Sequence, residues 1–204
     1  LPELASLAAY PWLVLVEVEA KRSEQAESQL VDLLATASEQ ELLADALLAQ
    51  SETQRHAMWR LREDWAVDRE RPGGLWYDIS VPLSSMAAYV AQVTARVAAL
   101  ESDLEVFIIG HLADGNLHIT VNAPHPVSER YEAIAPLVTD ELTALGGSFS
   151  AEHGIGVEKQ ATLARHASPA KLALMQAVKR AYDPHGIMNP GKVLPTEPTA
   201  PSAG

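Results

Sequence analysis

The spacing of apolar residues changes period several times along this chain. In residues 11–20, PWLVLVEVEA, a continuous apolar start gives way to alternation at Val16, Val18 and Ala20, the period of a strand. Residues 23–36 place Ala26, Leu30, Leu33 and Leu34 at helical spacing. Residues 41–50 contain LLADALL, which has helix propensity but follows a strand and a helix, and they read as a second strand. A helix is predicted over 51–69, with Ser51 as N-cap and Met58, Leu61 and Trp65 on one stripe near Arg62. Arg71-Pro72-Gly73-Gly74 ends it in a turn. Residues 75–81 read as a strand stopping at Pro82, and Ser84 as the cap of a helix over 85–100 that buries Met86, Val90, Val93 and Val97. Two β-rich runs then flank Asp114-Gly115, a strong hairpin signal. An amphipathic helix over 128–145 is closed by Gly146-Gly147. Residues 148–156 read as a short strand and a loop. Two further helices cover 157–166 and 169–182, the second with Pro169 in its first turn.

Direct hairpins make the sheet mostly antiparallel, with helices packed on one face. The expected fold is therefore α+β, a ferredoxin-like sandwich, duplicated or enlarged, over residues 1–194. Residues 195–204, rich in Pro, Ser and Ala, read as a disordered tail. No strand is followed by Gly-x-Gly-x-x-Gly or by a Walker-type loop, so no dinucleotide-binding domain is visible.

Composition narrows the partners. With 204 residues and a net charge of -12, the chain is poorly suited to nucleic acid or to anionic membrane surfaces. Cysteine is absent, which removes disulfides and thiolate metal sites. No apolar run approaches the ~20 residues of a membrane span, and no secretory leader is visible at the start. The expected compartment is cytoplasmic, with the inner membrane face as a peripheral alternative. The first residue is Leu1, which points to a piece of a longer chain.

Three clusters carry chemistry. A two-residue turn at Asp114-Gly115 sets His111 opposite His118, with Cβ atoms roughly 5 Å apart and two ring nitrogens able to converge on one ion. A longer turn breaks that direct pairing. Next comes Ala151-Glu152-His153-Gly154-Ile155-Gly156. Two histidines and a glutamate are a usual catalytic zinc set with a fourth position open. His153 then remains as a base, provided the backbone turns at Gly154. The third cluster, Asp183-Pro184-His185-Gly186-Ile187-Met188-Asn189-Pro190-Gly191-Lys192, reads by itself as a chain of turns. His56, His125 and His166 show no partner pattern and read as surface residues.

Together and in this order, GHLADGNLH, SAEHGIGVEK and DPHGIMNPGK resemble the C-terminal domain of FAD-linked oxidases of the vanillyl-alcohol-oxidase type. That group includes D-lactate dehydrogenases, D-2-hydroxyglutarate dehydrogenases and the glycolate oxidase catalytic subunit. LRE at Leu61-Arg62-Glu63 and YDISVP from Tyr77 extend the likeness over nearly the whole chain. The resemblance implies a preceding flavin-binding domain and an isolated piece that is inactive. It implies metal ligation by His111, His118 and Glu152, proton removal by His153, substrate-carboxylate binding by Arg62, and a return toward the flavin at Asn189. The implied cofactors are FAD and a divalent metal, zinc first, with manganese or iron also accepting such donors. The implied reaction oxidises a 2-hydroxy acid to the 2-oxo acid, and a homodimer is the assembly considered.

Departures from the family pattern bear on specificity. Ala113 stands where the family usually has glycine; if that position needs positive φ, alanine costs about 1 kcal/mol or shifts the turn. Trp76 and Ala66 stand where the 2-hydroxyglutarate enzymes place a lysine and a threonine. A distal carboxylate loses its partner there, so a monocarboxylic or bulkier apolar 2-hydroxy acid is expected. Two other readings compete: a stand-alone zinc hydrolase using the same His111, His118 and Glu152, and a non-catalytic binding module of ferredoxin-like shape.

Overall fold

The computed structural model describes residues 6–7, 9–63 and 73–194. The chain divides into two compact units, Leu1–Trp65 and Ala66–Gly204. In the first unit, helix α1 spans Ser23–Glu39 and helix α2 spans Glu52–Glu63. Glu41 enters the left-handed region at φ 56° as α1 ends, and its N–H and that of Leu42 return to the carbonyls of Ser38 and Ala37. Ser51 caps α2, its Oγ accepting the Gln54 N–H at 3.2 Å. The further course expected of this helix, over 64–69, lies outside the described residues.

The two strands expected in this unit, over 11–20 and 41–50, do not form. Alternation fixes which way side chains point, but a strand exists only when a neighbour completes its ladder. No described residue does so for either segment. Segment 11–20 is tied down by a side chain instead: Glu17 Oε1 accepts from Arg55 Nη1 at 2.9 Å and from the Trp59 indole at 3.2 Å. Trp12, Leu13, Val14, Leu15 and Val16 stay exposed.

The second unit holds the sheet. Strands β1 (Leu75–Ser80), β2 (Glu105–His111) and β3 (Asn116–Asn122) pair antiparallel in the order β1-β3-β2. Helix α3 (Leu83–Leu100) connects β1 to β2. A 3-10 turn at Ser128–Arg130, helix α4 (Tyr131–Thr139) and the short α5 (Leu142–Leu145) follow β3. Ser148 then pairs with Ser80 through two backbone bonds of 2.8 and 2.9 Å, a single bridge on the free edge of β1. The class is α+β, as expected, with three strands among the described residues where a full ferredoxin-like sheet has four. Helices α6 (Gln160–His166) and α7 (Pro169–Tyr182) complete the described elements. No described helix is long and apolar enough to cross a membrane.

Strand alternation explains the packing. Tyr77 and Ile79 of β1 and Leu117, Ile119 and Val121 of β3 share one face. They pack on Tyr89, Val90, Val93 and Val97 of α3 and on Ile134, Ala135 and Val138 of α4. Each buried aliphatic contributes roughly 1.5–3 kcal/mol. Pro82, not Ser84, takes the N-cap position of α3, and no side chain caps it there. The helix expected over 128–145 arrives in three pieces, with Pro136 inside α4 and no N–H to offer at that turn. Gly146 closes α5 at φ 78°, in the left-handed conformation that glycine accepts most cheaply.

The hairpin differs from the two-residue turn expected. β2 stops at His111 and β3 starts at Asn116, so four residues, 112–115, make the connection. His111 pairs with Asn116 and Ile109 with His118. The register has therefore moved by two residues relative to a direct His111–His118 pairing. Because a strand repeats every two residues, both histidines keep the same face and become diagonal neighbours. The left-handed residue of the turn is Gly115, at φ 78°, while Ala113 is not among the positive-φ residues described. A Cβ at Gly115 would lie 2.1 Å from the Val81 carbonyl oxygen. Gly115→Ala is therefore expected to lower unfolding stability by at least about 1–2 kcal/mol. Urea unfolding checks this, with Ala113→Gly as the control that changes it much less.

Candidate metal and substrate site

The face of the sheet opposite the core carries the polar constellation. On β3, His118 lies between Asn116 and Thr120 on this face, and its partner across on β1 is Asp78. His111, the last residue of β2, pairs with Asn116 and so lies at the same end. Ring centroids of His111 and His118 are 5.5 Å apart and nearly perpendicular. The segment after the Ser148 bridge runs along β1, where the Ala151 N–H donates to the Asp78 carbonyl at 3.2 Å. It then turns at Gly154, φ 71°, a conformation suited to glycine. This turn places Glu152 and His153 on the histidine face together.

One donor atom each from His111, His118 and Glu152 lies within 4.8 Å of the others. A cation with bonds of about 2.0–2.2 Å needs donors about 3.4 Å apart, so the trio closes on an ion by roughly an ångström of side-chain movement. The donor chemistry, two imidazole nitrogens and a carboxylate oxygen, fits a divalent metal. Glu152 is already oriented for it, because Asn116 Nδ2 donates to its Oε1. His153 is also exposed, with about two thirds of its side chain accessible, and its ring stacks 6.2 Å from that of His118.

Two residues beneath this trio were not singled out from sequence. Asn116 looked like the flank of a turn. Asp78 lay inside YDISVP without an assigned role, although aspartate is depleted in strands and its presence amid apolar neighbours is the available signal. Asp78 is only 2% exposed. Its Oδ2 accepts the backbone N–H groups of Glu152 and His153 at 2.8 and 2.9 Å, and Lys159 Nζ lies 3.5 Å away. Burial pushes its carboxyl pKa up, but the two N–H donors and the Lys159 charge outweigh burial and hold it below the ordinary range. Lys159 also donates to Ser150 Oγ at 3.0 Å, which in turn donates to the Gly154 carbonyl at 2.6 Å, so the loop is cross-braced.

Arg62 sits in the last turn of α2, in the first unit. Asn189 lies on the turn-rich loop after α7, with φ 48° and its carbonyl accepting the Lys192 N–H at 3.2 Å. Asp183 organises that loop. Its carboxylate accepts from Lys179, from the Ile187 N–H at 2.9 Å and from the Met188 N–H at 2.9 Å. Gln160 Nε2 donates to the Gly191 carbonyl at 2.7 Å and ties the loop to α6. A separate groove in the first unit, lined by Val31, Leu34, Ala35 and Leu43 among others, holds Asp45 as its only ionisable side chain among the described residues.

The sequence model of the family described as FAD linked oxidases, C-terminal domain, matches residues 5–193, and the chain belongs to that family. Among its relatives, a D-2-hydroxyglutarate dehydrogenase of Xanthomonas citri pv. viticola is 35% identical over 202 residues, which make up 96% of this chain and 43% of that protein. A protein of the same name from Stutzerimonas stutzeri is 34% identical over 90% of this chain and 40% of its own length. A Schizosaccharomyces pombe protein with a provisional D-lactate dehydrogenase name is 32% identical over 91% of this chain and 37% of its own length. The chain thus spans about two fifths of the length of these relatives.

The Asp183 carboxyl sits below the ordinary carboxylate range, chiefly through its Lys179 partner; burial opposes this, and the Met188 and Ile187 N–H groups assist. A group whose pKa falls on folding stabilises the fold above its unfolded value, about 3.9 for aspartate, and loses that contribution as pH drops through the folded value. Asp183→Asn is therefore expected to be less stable than wild type at pH 7 and pH 5, with the gap narrowing at pH 3. Urea midpoints at the three pH values check it; a gap that stays constant would contradict the assignment.

Proposed function

We propose that this chain is the substrate- and metal-binding part of an FAD-dependent enzyme that oxidises a 2-hydroxy acid to the 2-oxo acid. The observation that carries the reading is the convergence of His111, His118 and Glu152 donors beside an exposed His153. Family membership supports flavin chemistry, and the relatives' names support a 2-hydroxy acid. Bound flavin would supply the acceptor for the α-carbon hydrogen, and a divalent cation held by His111, His118 and Glu152 would supply a Lewis acid at the substrate hydroxyl.

The chain's own residues take the remaining tasks. The His153 imidazole accepts the hydroxyl proton, and its exposure leaves it open to a substrate. The Arg62 guanidinium binds the substrate carboxylate with its planar fork of donors. Asn189, on the loop that Asp183 organises, borders the flavin-binding part of the full-length protein. Asn116 holds Glu152 in place for the cation.

Substrate choice follows from β1. Trp76 precedes Asp78 by two residues and so shares its face of the sheet, and it is 45% exposed. An indole offers no charge to a second carboxylate, so the substrate is a monocarboxylic 2-hydroxy acid. Ala66, the other position bearing on this choice, lies outside the described residues. The full-length enzyme assayed on D-lactate, glycolate and D-2-hydroxyglutarate is expected to favour a monocarboxylate; preference for the dicarboxylate refutes this specificity. His153→Ala is expected to lower kcat by about 10²–10⁴-fold with cation affinity retained. Glu152→Gln is expected to weaken cation binding by more than the ~100-fold typical of losing an outer partner, as read by calorimetric titration.

A further inference from the structure

Asp78 is nearly inaccessible, yet it is charged, and one of its oxygens is not hydrogen-bonded. Oδ2 takes the two loop N–H groups. Oδ1 is buried and has no hydrogen-bond partner among the described residues. An unpaired buried carboxylate oxygen is costly, so its placement calls for a donor within reach. His118 faces that unpaired oxygen, while His153 faces the oxygen that already takes the loop N–H groups. His118 Nδ1 is 3.9 Å from Oδ1, and His153 Nδ1 is 3.9 Å from Oδ2. Each is within about 1 Å of hydrogen-bond distance. The same carboxylate thus faces the Nδ1 edge of both rings.

We infer that Asp78 is a positioning residue shared by the two histidines, fixing both as their Nδ1–H tautomers and so directing both Nε2 atoms toward the reacting end. Resting on the functional reading above, it assigns Nε2 of His118 to the cation and Nε2 of His153 to the substrate hydroxyl. The physical logic is general. The hydrogen bond made by one imidazole nitrogen decides which lone pair the other presents, and a carboxylate acceptor holds the proton on its own side. Here one aspartate does this for two rings and also fixes the backbone that carries Glu152 and His153. A single strand residue therefore sets the loop's position, the ligand's tautomer and the base's tautomer together. Lys159 keeps the carboxylate company on the loop side, so the negative charge is not left bare when neither ring is protonated.

Asp78→Asn separates these tasks, because the amide keeps the size and one acceptor oxygen but turns the other atom into a donor. Long-range proton–nitrogen NMR on the metal-free full-length protein at about pH 8, above the ordinary imidazole pKa, reads each tautomer directly. The expected result is Nδ1–H at His118 and His153 in the wild type. In Asp78→Asn the proton moves to Nε2 at His118, with zinc affinity lower by about 10–100-fold. Wild-type rings protonated on Nε2 would overturn the inference without reference to any variant. So would Asp78→Asn protein that keeps both tautomers and wild-type zinc affinity, even with a lowered melting temperature, since that is a purely structural role. His118→Ala, titrated with zinc in parallel, tests the metal reading separately. Unchanged zinc affinity there removes that reading, while the wild-type tautomers still decide the role of Asp78.

Discussion

Strand β3 is paired along both edges, and the placement of the candidate site depends on that. A strand with neighbours on each side leaves its side chains two directions only. Leu117, Ile119 and Val121 go into the core against α3 and α4, while Asn116, His118 and Thr120 go to the opposite face. The core residues hold the strand in register by their burial, and the register holds His118 opposite Asp78. A slip by one residue would bury the histidine and expose the isoleucine, so the hydrophobic core and the polar site enforce each other.

The loop that completes the site is attached to the same framework by backbone rather than by side-chain packing. The bridge between Ser80 and Ser148 starts it, the Asp78 carbonyl continues it, and the Asp78 carboxylate finishes it. Glu152 and His153 are exposed residues on a glycine-punctuated segment, yet their amides are fixed to one of the least accessible groups in the molecule. This is how a surface loop is held in a defined position by the framework. The chain belongs to the FAD-linked oxidase C-terminal family, and the proposed function gives that arrangement its chemical setting.

Much of this was legible beforehand, and the reasons for the rest are physical. The pattern of the apolar positions located β1 and α3, which bury one face and so show it in their sequence, and the apolar runs flanking Asp114-Gly115 located β2 and β3. Alternation placed a strand over 11–20, and position after a strand and a helix placed another over 41–50, but neither segment has a partner strand among the described residues. Pairing is a long-range property that no local window contains. The Asp-Gly signal marked the hairpin but not the length of its connection, so His111 and His118 came out as diagonal neighbours. Their common face survived because the shift was an even number of residues. Asp78 and Asn116 escaped because each looks ordinary in sequence, one as a polar interruption of a strand and one as a turn flank. Their meaning comes from Glu152 and His153, more than thirty residues further along the chain.

The central claim is that His111, His118 and Glu152 meet on a single divalent cation. X-ray absorption at the zinc edge of the zinc-loaded full-length protein tests it most directly. The account predicts a shell of nitrogen and oxygen at about 2.0–2.2 Å with the multiple-scattering signature of two imidazoles. A shell of oxygens alone, or the signature of a single imidazole, would contradict it.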